Sequence, residues 1–60
     1  MILNFKTENG YETIINMDNV LYILARHDGG YLIMFRDKNE VNLTWKEFDN
    51  LTKALKEHGN

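Results

Sequence analysis

Two histidines, nine carboxylates and seven basic side chains are the residues of this chain that could transfer protons, hold a metal or grip a charged ligand. Their spacing arranges none of that chemistry. His27 and His58 lack the i,i+4 spacing of a helical metal pair, and no acid stands at a diagnostic distance from either. His27 reads as a polar strand end beside a turn and His58 as a helix end. Glu8, Glu12, Asp18, Asp28, Asp37, Glu40, Asp49, Glu47 and Glu57 fall mostly in turns or on a solvated helix face. Paired carboxylates work as acid and base only when a cleft holds them, and so short a chain offers little room for one. Serine and cysteine are both absent, which removes those two nucleophiles and cysteine-based zinc sites. No glycine-rich phosphate loop is present. The sequence therefore predicts no catalytic residue, no metal, no cofactor and no enzyme.

Aromatic and arginine side chains offer a different chemistry. Tyr22, Tyr31 and Phe35 fall on one predicted face with Arg26 beside them. Aromatic rings on a sheet with a nearby guanidinium can stack bases, and Lys6, Arg36 and Lys38 could add phosphate contacts. A net charge of −2 has the wrong sign for backbone binding, so nucleic acid is the lesser reading. Tyrosine and phenylalanine serve equally well in a core or a protein interface.

The elements that would position these groups follow from turn signals and periodicity. Residues 2–7 read as a strand with Leu3 and Phe5 on one face and Ile2 and Asn4 on the other. Asn9-Gly10 is a hairpin signal, and residues 11–16 return. A two-residue loop there sets Phe5 opposite Ile14 and Asn4 opposite Ile15. Met17-Asp18-Asn19 is a turn. Strands follow at 20–27, 31–36 and 41–43, separated by Asp28-Gly29-Gly30 and Asp37-Lys38-Asn39-Glu40. A two-residue Gly29-Gly30 loop pairs Arg26 with Ile33, Leu24 with Phe35, Ala25 with Met34 and Ile23 with Arg36.

Thr44-Trp45-Lys46-Glu47 fits a capping box. Trp45, Phe48, Leu51 and Leu55 then recur at helical spacing over 45–58 and form a predicted structural core, with Trp45 anchoring helix to sheet. Asp49/Lys53 and Lys53/Glu57 are opposite-charge pairs on the other side. Lys56 and His58 suit the helix C-terminus, and Gly59 is the expected stop. The fold class is α+β: one domain, residues 1–60, an antiparallel β-meander of four to five strands closed by one C-terminal helix.

Such a chain buries only about 60% of its unfolded surface, and without cysteine it has no disulfide to compensate. The absence of cysteine fits a reducing cytoplasm. No apolar run approaches the ~20 residues of a membrane span, and the first residues do not resemble a signal peptide. The expected setting is cytoplasmic, with no membrane partner.

The 20–27/31–36 hairpin carries apolar side chains on both faces, where a half-exposed antiparallel sheet alternates. One helix can cover only one of them. Either the sheet curls on itself or a second chain packs there. The second option leads: a homodimeric, non-enzymatic interaction or regulatory module of bacterial or phage style, with a protein partner. Tyr22, Leu24, Arg26, Tyr31, Ile33 and Phe35 form its candidate interface or ligand face.

Three resemblances accompany this reading. Met1-Ile2 through Asn9-Gly10, Ile15-Asn16 and Val20-Leu21-Tyr22-Ile23 are similar to the small flagellar and swarming-motility proteins of the FlbD/SwrD type, over residues 1–23. That resemblance implies a motility role. The Pro-Asp-Thr turn and Val-Val-Lys-Glu strand of those proteins are replaced by Asp28-Gly29-Gly30 and Val41-Asn42-Leu43-Thr44. Met17-Asp18-Asn19-Val20-Leu21-Tyr22-Ile23, with Leu43-Thr44, Glu47-Phe48 and Leu51, resembles the core of LytTR-type DNA-binding domains. Those are nearly twice as long and contact DNA through loops this chain lacks. Val41 to Phe48 resembles the strand-to-helix step of single-strand-binding transcriptional coactivators, which form dimers.

Overall fold

A computed structural model describes residues 1–59. They form β1 (Ile2–Lys6), β2 (Glu12–Asn16), a 3₁₀ turn (Met17–Asn19), β3 (Val20–Ala25), β4 (Tyr31–Phe35), β5 (Glu40–Leu43) and α1 (Trp45–Gly59). The α+β class and the element order agree with the sequence reading. The meander is divided: β1 and β2 form one antiparallel sheet, and β3, β4 and β5 another in that order. The 3₁₀ turn makes the break. Asn16 caps it through a side-chain oxygen that accepts from the Asp18 N–H at 3.1 Å. The Asn19 carbonyl accepts from the Arg36 N–H at 2.8 Å, tying the turn to the end of β4.

All three hairpins use the same three-residue loop, in place of the two-residue loops expected at Asn9-Gly10 and Gly29-Gly30 and the four-residue turn expected at 37–40. Gly10 N–H donates to the Thr7 carbonyl and Thr7 N–H to the Tyr11 carbonyl. Gly29, Arg26 and Gly30 repeat this pattern, as do Lys38, Phe35 and Asn39. The third loop residue sits at positive φ in each: Gly10 at 86°, Gly29 at 90° and Lys38 at 73°. This is a turn followed by a left-handed residue, the usual three-residue hairpin. An Asn or Asp precedes that residue every time, and the Asp28 and Asp37 carboxylates each accept from the N–H two residues on.

The extra loop residue changes the register. Phe5 lies opposite Thr13, Asn4 opposite Ile14 and Leu3 opposite Ile15. The expected Phe5–Ile14 pairing is off by one, because Asn9 is not left-handed and the loop closes at Thr7 and Tyr11. The observed register puts Leu3, Phe5 and Ile15 together on the buried face. In the second sheet Ala25 pairs Tyr31, Leu24 pairs Leu32, Ile23 pairs Ile33 and Tyr22 pairs Met34. Leu21 is an extra residue in a bulge, so Val20 faces Phe35.

Leu3, Phe5, Ile15, Ile33, Leu43 and Leu51 are buried, with Met17, Val20, Phe35, Val41 and Phe48 packed around them. The core thus lies between the inner faces of the two sheets and α1. The helix lies chiefly along β1 and antiparallel to it. Its first turn meets the end of that strand through Glu47 on the Glu8 N–H, and Asn50 Nδ2 donates to the Lys6 carbonyl. The capping box forms as expected: Thr44 N–H donates to Glu47 Oε1 at 2.9 Å, and Glu47 N–H to Thr44 Oγ1 at 3.2 Å.

Two of the four residues assigned to the helix core are not core. Leu51 is buried and Phe48 half-buried, but Trp45 is 60% exposed and Leu55 37% exposed. By helical periodicity Trp45 lies well round the helix from Leu51, at the margin of the apolar arc. Leu55 lies on the same side as Leu51, one turn further on, and is only partly covered there.

Candidate interaction surface

The loop chemistry decides which backbone groups of β3 are free. Arg26 N–H donates to the Gly30 carbonyl at 2.8 Å, which makes Arg26 and Gly30 a hydrogen-bonded pair. Antiparallel pairs alternate, so Leu24 and Tyr22 also direct their N–H and C=O groups to β4. Ile23 and Ala25 direct theirs to the opposite side. No strand lies there among the described residues, because β3 is an edge of its sheet.

Its side chains are open as well. Leu21, Tyr22, Ile23 and Leu24 are 38 to 53% exposed, and Ala25 is exposed beside them. Tyr22 and Leu24 point away from the core, together with Leu32 and Met34 of β4, which are half-buried. Ile23 and Ala25 share the other face with Ile33 and Tyr31, yet stay exposed, because α1 packs chiefly along β1. Edge strands normally carry charges that prevent pairing with another chain. β1 carries Lys6 and Asn4, β2 carries Glu12 and Asn16, and β5 carries Glu40 and Asn42. β3 reads Val-Leu-Tyr-Ile-Leu-Ala, with neither a charge nor an amide. Its one blunting device is the bulge at Leu21.

The six residues expected to share one face are divided by this register. Side-chain period is two, so a shift by an odd number of residues turns a strand over. The β3–β4 pairing differs from the expected one by three. Tyr22, Leu24 and Arg26 are therefore on the outer face, and Tyr31, Ile33 and Phe35 on the inner one. Ile33 is fully buried, Phe35 is half-buried against the core, and the Tyr31 ring stacks on Phe48 at 3.8 Å and 18°. The aromatic platform of Tyr22, Tyr31 and Phe35 is not assembled. The outer-face partners are instead Leu32 and Met34. Their signal is the His27-Asp28-Gly29 loop, which matches Glu8-Asn9-Gly10 in form.

Arg26 closes one end of the outer face. Its guanidinium reaches across Gly30 to Asn42 Oδ1 at 2.6 Å and donates to Asp28 Oδ2 at 2.7 Å. Gly30 is needed there: a Cβ would stand 2.9 Å from the Leu43 carbonyl oxygen and 3.2 Å from Asp28 Oδ1.

Two hollows accompany this surface. One, of about 340 Å³, lies between the β3–β4 loop and the start of α1, with Arg26, Asp28, Trp45 and Glu47 on its walls. Its polar groups are already engaged with one another. Glu47 accepts from the backbone N–H groups of Thr44 and Glu8, and these bonds hold its carboxyl below the ordinary 4.5. The other, of about 280 Å³, separates the two sheets between Ile14, Phe35 and Val41. Among the described residues no three of His, Cys, Asp and Glu gather closely enough to hold a metal. Among the same residues no helix is long and apolar enough to cross a membrane. Comparison with protein-family models, curated proteins and solved structures returns no match for this chain.

Proposed function

We propose that this chain is a small non-enzymatic interaction module that works as a homodimer, with the β3–β4 hairpin as its contact surface. One observation carries the reading. Of the described strands with an unpaired edge, β3 alone has no charged or amide side chain, and it is open on its edge and both faces. A chain that leaves such a strand uncovered in water has an aggregation site unless a partner occupies it. The lack of cysteine supports a reducing compartment, the cytoplasm, as its setting. The alternative, a nucleic-acid-binding sheet face, has less support, because Tyr31 is committed to Phe48 and Arg26 to Asp28 and Asn42.

Sedimentation equilibrium across micromolar to millimolar protein tests the reading. The expected result is a reversible shift from one chain to two. A single chain throughout that range contradicts it.

A further inference from the structure

Resting on the homodimer reading, we propose that two copies join edge to edge. β3 of one chain pairs antiparallel with β3 of its partner, giving one continuous six-stranded sheet.

Three observations lead there. The outward N–H and C=O groups of Ile23 and Ala25 are unpaired within the described chain and form a row of donors and acceptors that a second strand, rather than a side-chain pocket, would match. The strand is compatible with itself, because a two-fold axis brings like residues together and Val20–Ala25 holds no charge to repel its copy. The bulge then selects the register. It disturbs the edge at Leu21, so the regular stretch begins at Tyr22. Within that stretch the two-fold arrangement that uses both outward residues sets Ile23 opposite the partner's Ala25. It places Leu24 opposite its own copy, on the axis. Tyr22 then stands opposite position 26 of the partner, whose guanidinium stays on Asp28 and Asn42 and brings no charge to the seam.

The area sets the strength. Leu21, Tyr22, Ile23 and Leu24 are each only partly open, and one strand edge offers little beyond them. The pair therefore falls at the small end of specific interfaces, where association is weak and transient. A reversible, micromolar dimer fits that size.

The absence of cysteine makes the register testable. Directly opposed residues at a non-hydrogen-bonded pair have Cα atoms about 4.5 Å apart, within disulfide range. Leu24→Cys, Leu32→Cys and Ile14→Cys are each oxidised mildly at a concentration where the unmodified chain dimerises. Ile14, exposed on β2, reports random collision. Edge pairing is expected to give covalent dimer from Leu24→Cys several-fold above the Ile14→Cys level, and none above that level from Leu32→Cys. Preferential crosslinking through Leu32 means that the outer faces stack: the edge proposal is overturned and the homodimer stands. Equal crosslinking of all three also overturns it.

Ala25→Pro gives a second readout. Its N–H points away from β4, so proline there leaves the β3–β4 ladder whole while removing one bond to a partner strand. The expected result is a monomer with an unchanged β4–β5 amide spectrum. A dimer as tight as the unmodified one contradicts edge pairing. If the unmodified chain sediments as a monomer, the homodimer reading itself fails.

Discussion

Lys38 is the residue most at odds with its backbone. It holds the left-handed position that glycine holds in the other two hairpins, and it is the non-glycine residue with positive φ among those described. A side chain in that conformation costs about 1–2 kcal/mol, part of which glycine returns as greater freedom in the unfolded chain. Lys38→Gly is expected to raise stability by about 1 kcal/mol, read from the midpoint of urea unfolding. Glu47 ties three segments together, accepting from Thr44 and Glu8. Its pKa is lowered in the folded chain by those backbone bonds. The unfolded chain therefore binds more protons in that region, and stability falls as the pH falls. The contribution is whole above the ordinary carboxylate value of 4.5 and is lost as acid titrates the folded carboxyl below it. Glu47→Gln is expected to flatten the acid side of the stability–pH curve relative to the unmodified chain. Curves of equal slope count against the role given to Glu47.

At the scale of elements, the burden on α1 is carried by its middle. Leu51→Ala removes a side chain that is almost wholly buried. That change is expected to cost about 2–5 kcal/mol, enough to unfold most of so small a domain. Trp45→Ala and Leu55→Ala remove exposed side chains and are expected to cost less than about 1 kcal/mol each. Thermal melts of the three variants check the order. The helix, its cap and the strands are legible in the sequence because each rests on local chemistry: Thr44 and Glu47 satisfy one another, and Leu3 and Phe5 alternate. Loop length is not, since Asn9-Gly10 serves a two-residue turn and a three-residue loop alike. At the second hairpin the loop is His27-Asp28-Gly29 rather than Gly29-Gly30, a register change of three, which turns β3 over relative to β4 and separates Tyr22 from Tyr31. Trp45 departs from its expected place because three-residue spacing joins it to Phe48 yet leaves it well round the helix from Leu51, at the margin of the buried arc.

At the scale of the molecule, the need for a second covering layer is legible although its location is not. Apolar side chains on both faces of 20–36 exceed what one helix can shield. The fold meets part of that excess by folding β1–β2 over Ile33 and Phe35. It leaves Leu21 to Ala25 open, at an edge with free backbone groups. In the proposed homodimer this strand is the contact surface between copies of the chain. Backbone amide NMR shifts followed through serial dilution test it most directly. Amides of Leu21–Ala25 are expected to move with concentration while those of β1 and α1 stay fixed. Shifts confined to β1, β2 or α1, or none at any concentration, would contradict it.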